Sequence, residues 1–73
     1  MRHSEFDRAV ADEFGDGGAA LVADLALTAV GNRTAREALA DGVAPREVWY
    51  ALCTETDVPE PRRHGAGRLE PRR

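Results

Sequence analysis

The stretch from Thr34 to Leu52, TAREALADGVAPREVWYAL, decides the fold, because both ends of one helix and the start of the next are written in it. Thr34 and Glu37 stand three residues apart immediately before Ala38 and Leu39, the spacing at which a threonine hydroxyl and a glutamate carboxylate satisfy each other's orphan amides. Gly42 supplies the left-handed residue that stops a helix after about two turns, and Val43 follows where it can fold back on the last turn. Pro45 then opens a second helix, since its fixed φ suits the first helical position and its missing N–H costs nothing there. This helix is expected over 45–56. On it Val48, Trp49, Leu52 and Cys53 share one arc, and Tyr50 lies between Arg46, Glu47 and Thr54 on the outer side, half exposed.

Ahead of this pair, residues 19–30, AALVADLALTAV, read as a helix closed by Gly31, on alanine and leucine content. Its periodicity is two-sided. Val22, Ala23, Ala26, Leu27 and Val30 cover one arc, and Leu21, Leu25 and Ala29 another, with Asp24 the one charge. A helix apolar nearly all round either lies at the centre of a bundle or offers one arc to another chain. Before it, Ser4 with Asp7 resembles a capping box, and Phe6, Ala9, Val10 and Phe14 form a single stripe that ends at Gly15. Asp16, Gly17 and Gly18 make the turn between the two.

Beyond 45–56 the pattern stops. Pro59 and Pro61 end helical structure, and residues 60–73 hold five arginines, prolines and glycines with Leu69 as the one large aliphatic side chain. Such a composition is expected to be a disordered basic Pro/Arg-rich tail on a helical domain spanning 1–59. The fold expected is therefore all-α, a small bundle of about four short helices containing a helix-turn-helix-like pair.

The chain has 73 residues, enough for one small domain, and its formal net charge of -3 conceals an asymmetry. Residues 1–58 carry five arginines against eleven acidic groups, net -6, whereas residues 59–73 carry five arginines against two, net +3. The single cysteine, Cys53, excludes an intramolecular disulfide, which a secreted domain of this size would normally need. No apolar run is long enough to cross a bilayer, and Met1 to Phe14 lacks the apolar stretch of a signal peptide. A cytoplasmic location is expected.

Catalysis finds little footing. His3 and His64 lie near the ends, Cys53 sits on the apolar arc as a small core residue, and these three have no metal-site spacing. Asp12, Glu13 and Asp16 crowd one helix end without calcium-loop register, and read as a solvated face. No cofactor is expected and the chain is read as non-enzymatic. The surfaces left to rank are the Leu21 and Leu25 arc and the aromatic pair Trp49 and Tyr50. With a small core, covering them by another protein or by a second copy would add stability.

The alternative is a DNA reader. Ala38, Gly42, Val43 and Val48 have helix-turn-helix spacing, which would bring Pro45, Arg46, Glu47, Trp49 and Tyr50 to the major groove. Arg33, Arg36 and Arg46 would form a basic rim, and Arg62 and Arg63, with Arg68, Arg72 and Arg73, a basic arm. The net charge of -6 on the domain opposes it, because phosphate neutralisation supplies most non-specific affinity.

Several blocks in order carry a family resemblance: MR followed by Ser4 to Phe6, Phe14 and Gly15, Asn32 to Thr34, the run E-A-L, D-G-V-A-P, and V-W with Cys53 beyond. Over about residues 1–59 the chain resembles the domain of unknown function 3046 family of short actinobacterial proteins. The resemblance implies an all-helical cytoplasmic protein, and a gene neighbourhood beside the RecA recombinase and its regulator RecX, hence a link to DNA repair or recombination. It implies no catalytic residues. At Ala44 the chain departs from the aspartate usual in the family, losing a cap worth about 1 kcal/mol. It departs again at Ala20, Leu21, Val22 and Leu25, where aromatic and charged groups are usual.

Overall fold

A computed structural model describes residues 1–65. The expected pair of helices is present, as α3 (Ala35–Ala40) and α4 (Pro45–Glu55), preceded by α1 (His3–Phe14) and α2 (Gly18–Asp24). The capping box closes in both directions: Thr34 Oγ1 accepts the Glu37 N–H at 3.1 Å, and the Glu37 carboxylate accepts the Thr34 N–H at 3.0 Å. Gly42 takes φ +96°, and the Val43 N–H reaches back to the Ala38 carbonyl at 3.0 Å, so the glycine stop operates as its position dictates. Ala44 precedes α4 with no side-chain cap, and Pro45 occupies the first turn.

α1 begins earlier than its serine suggested. Arg2 is the flanking residue, its N–H received by the Glu5 carboxylate at 2.7 Å, so Ser4 lies inside the first turn and its pairing with Asp7 is not used. Glu5 stands three residues after Arg2, and this half of a capping box starts the helix two residues earlier. Phe6, Ala9 and Val10 are buried and Phe14 half-buried, as the stripe required. Gly18 starts α2 where it crosses α1: a Cβ there would lie 2.5 Å from Val10 Cγ1 and 3.3 Å from the Val10 carbonyl oxygen. Only a residue without a side chain permits that approach.

The expected helix over 19–30 is corrected. It stops at Asp24, Leu25 turns to extended backbone (ψ 120°), and β1 (Ala26–Leu27) pairs antiparallel with β2 (Arg33–Thr34), Ala26 opposite Thr34 and Leu27 opposite Arg33. Between the two strands run a 3-10 turn, Thr28–Val30, and a reversal at Gly31 and Asn32, both with positive φ. The cause lies in the two-sided periodicity. A continuous helix would point Leu21 and Leu25 away from the side that holds Leu27 and Val30, and a domain this small has its core on one side of α2 only. Breaking after Asp24 lets Leu27 become fully buried while Leu21, Val22, Leu25 and Val30 all pack partly against the same core. The side-chain burial outweighs the helix propensity of six residues, each worth less than about 1 kcal/mol.

The core contains Phe6, Leu27, Val48, Trp49 and Leu52 as its large members, with Ala9, Ala35, Ala38 and Cys53 filling between helices. Among the described residues it holds no buried polar residue. After α4, Val58 is buried and its N–H bonds the Cys53 carbonyl at 2.9 Å. Past residue 59, where Pro59 and Pro61 were expected to end helical structure, Glu60–Gly65 form a further helix, α5. Pro61 sits in its first turn, where proline is tolerated, and side chains described below tie it to the body. The rest of the expected tail, 66–73, with Arg68, Leu69, Arg72 and Arg73, lies outside the described residues.

Candidate functional site

The outer face of α4 presents Arg46, Tyr50 and Thr54 at four-residue spacing, one above the other. Together with Glu47, Ala51, and Ala29 and Val30 of the 3-10 turn, they line a shallow groove of about 350 Å³. Tyr50 is half-buried as expected, whereas its neighbour Trp49 is 1% exposed and belongs to the core. Phe6 and Phe14 meet the Trp49 ring edge-on, centroids 6.4 and 6.3 Å away. Trp49 is therefore not a surface anchor, which corrects its place among the partner-binding candidates. A hundred degrees of helix rotation separates the two aromatics, and that suffices to put one inside and one at the edge.

Leu21 and Leu25 are half-buried and packed against the core, so the arc they form is less open than the periodicity implied. Among the described residues, the large hydrophobic side chain that stands exposed is Met1. A second groove, of about 430 Å³, runs between α1 and α2 past Val10, Ala11 and Val22, with Asp7, Asp16 and Arg36 at its rim.

The arginines of the DNA reading are placed apart. Arg33 donates to the Asp41 carboxylate and to the Val30 carbonyl, both at 2.8 Å. Arg62 pairs with Glu13, and this hydrogen bond raises the guanidinium pKa further above its ordinary value. Arg63 donates to the Val58 carbonyl at 2.8 Å and to Thr54 Oγ1 at 3.2 Å, with its guanidinium carbon 6.0 Å from the Tyr50 ring centroid. Arg36 and Arg46 are exposed, on different helices. The helix-turn-helix-like pair thus offers Arg46 and Glu47 at the start of α4, with Val48 and Trp49 turned inward.

Glu13 is the residue that the reading of a solvated acidic cluster missed. Its side chain is only 10% exposed. The signal was available, since position 13 falls three residues after Val10 and four after Ala9, on the apolar stripe.

Cys53 is fully buried, and burial pushes its thiol from an ordinary 9.0 up to about 11; nearby Arg63 opposes this, Glu13 and Glu60 add to it. A thiol held in this state is a poor nucleophile at neutral pH. The raised value has a stability consequence. Above pH 9 the unfolded chain loses the thiol proton while the folded one keeps it, so stability falls between about pH 9 and pH 11 and is unaffected by this group below that window. The expected loss by the upper end is about 2–3 kcal/mol. Urea unfolding of the native chain and of Cys53→Ala across that range measures it, and equal pH slopes for the two would refute the assignment.

Among the described residues no group of three or more His, Cys, Asp or Glu side chains could hold a metal ion, and no helix is long and apolar enough to cross a membrane. These features define a small helical domain with an apolar interior, a helix-turn-helix-like pair and shallow surface grooves. The chain belongs to the family described as Protein of unknown function (DUF3046), which it matches over residues 1–61. It is also similar to the "Putative envelope-preserving system protein Rv2742c" of Mycobacterium tuberculosis (strain ATCC 25618 / H37Rv), with 56% identity over 36 residues. That match takes in 49% of this chain and 13% of the relative, so the chain spans a small part of that protein's length. No solved structure matches the chain.

Proposed function

We propose that the domain is a non-enzymatic interaction module of the cytoplasm that docks on another protein through the Tyr50 edge of α4. The observation that carries this reading is the groove beside Tyr50. It combines a half-buried aromatic, apolar lining from Val30 and Ala51, and the exposed cation Arg46 on an eleven-residue helix. Aromatic and arginine side chains in that setting dominate many protein interfaces. The half-buried Leu21 and Leu25 arc is the secondary surface.

A place in DNA repair or recombination rests on the gene neighbourhood implied by the family, and a place in envelope preservation on the printed name of a relative; both are directions in which to seek the partner. Direct DNA reading is disfavoured by the internal engagement of Arg33, Arg62 and Arg63. The test is capture of a partner from the native host by the wild-type chain and by Tyr50→Ala and Leu25→Asp. Tyr50→Ala should lose a reproducible partner by tenfold or more with its helical circular dichroism intact. Retention of every partner by that variant, or duplex binding by the wild type at about 50 mM salt, would overturn the proposal.

A further inference from the structure

The contact between α5 and the body is asymmetric in burial. Glu13 is a carboxylate with a side chain 10% exposed, against a 62% exposed Arg62. Both Nε, at 3.1 Å, and a terminal nitrogen of the Arg62 guanidinium approach the same Glu13 oxygen. A short way off, the Trp49 indole N–H donates at 3.1 Å to the main-chain carbonyl of Arg63. The body therefore supplies a half-buried acid and a fixed indole donor beside Phe14. α5 supplies two generic groups: one guanidinium and one backbone carbonyl.

A largely covered carboxylate adds little to the stability of a fold, because its desolvation offsets part of what the ion pair returns. It favours a guanidinium over a single-point ammonium, since two N–H groups of Arg62 converge on one carboxylate oxygen. The occupying segment is short. α5 has six residues, below the length at which a helix persists by itself, and Glu60, Pro61 and Arg62 are exposed. The body ends firmly at buried Val58, and just before it Asp57 holds a left-handed φ of 60° that marks where the chain direction changes.

We propose that the notch formed by Glu13, Phe14 and Trp49 is a receptor for an arginine-bearing segment of a protein partner, and that α5 fills it in the free chain until the partner displaces it. Charge favours such a ligand, since residues 1–58 carry net -6 and attract a basic segment. The inference rests on reading the domain as a protein-binding module and names the chemistry of one ligand. Release of α5 also withdraws Arg63 from Tyr50 and Thr54, so occupancy of the notch and access to the α4 groove are coupled.

The test uses the full chain and a capped peptide copying residues 59–65, PEPRRHG, with Trp49 fluorescence as the readout. Removing the internal guanidinium by Arg62→Ala should let the peptide bind saturably at roughly millimolar concentration, at least tenfold tighter than to the wild type, whose own α5 competes at a comparable effective concentration. Adding Glu13→Gln to Arg62→Ala should abolish binding, and a peptide with both arginines replaced by alanine should not bind. Arg62→Lys, which keeps the charge and loses the fork, serves if the alanine variant does not fold. No saturable response from folded Arg62→Ala or Arg62→Lys, or equal binding of the arginine-free peptide, overturns the proposal. The titration needs no native partner, so its failure leaves the Tyr50 capture result standing and the reverse also holds.

Discussion

Trp49→Ala is expected to remove a large part of the stability of the domain at 25 °C. Truncating a fully buried tryptophan costs about 3–5 kcal/mol, because the apolar burial is lost and the surroundings collapse only partly into the space left behind. Here the space opens between Phe6 and Phe14, whose rings both meet the indole edge-on, so two aromatic pairs go with it. A chain of 73 residues has about 4–11 kcal/mol to lose. Urea unfolding followed by circular dichroism should show the midpoint moved down by about 3–5 kcal/mol divided by the urea dependence of the transition. Trp49→Phe is the informative companion. It keeps most of the apolar volume and deletes the N–H to the Arg63 carbonyl, so the body should remain folded while amide exchange in α5 accelerates. A native midpoint for Trp49→Ala would mean that the tryptophan is a surface residue after all.

The parts of this fold that could be read in advance are those fixed by neighbours in sequence. Thr34 finds Glu37 three residues on, Gly42 frees Val43 to reach Ala38, and Pro45 begins α4, each through bonds that close within one turn. What escaped was decided by residues distant along the chain. The start of α1 is the exception, since the Arg2 N–H bonds the Glu5 carboxylate within one turn and Ser4 with Asp7 offers an equally local alternative that the chain does not use. Proline and arginine in residues 60–65 say tail, yet Arg62 meets Glu13 and the Arg63 carbonyl meets Trp49 across 49 and 14 positions. Of the site, the half-exposure of Tyr50 followed from helix rotation. The groove beside it did not, because its far wall, Ala29 and Val30, comes from a turn that replaces expected helix.

Leu27 is the side chain that pays for that replacement, and its substitution separates the two descriptions of residues 19–30. In a continuous helix, Leu25 and Leu27 would sit on opposing arcs with comparable claims to burial. In the broken form, Leu27 is fully enclosed and the Asn32 N–H bonds its carbonyl at 2.9 Å across the turn, whereas Leu25 keeps part of its surface in water. Leu27→Ala should therefore cost about 2–5 kcal/mol. Leu25→Ala, losing a half-buried side chain, should cost about 1 kcal/mol, in proportion to the apolar area it returns to solvent. The same ranking bears on function, since a Leu25 that contributes little to stability is one whose Asp variant stays folded and can report on docking. Urea midpoints for the two alanine variants decide the matter. Equal losses, or a larger loss at Leu25, would restore the uninterrupted helix, and with it an outward leucine arc that the wild-type chain would have to cover by binding.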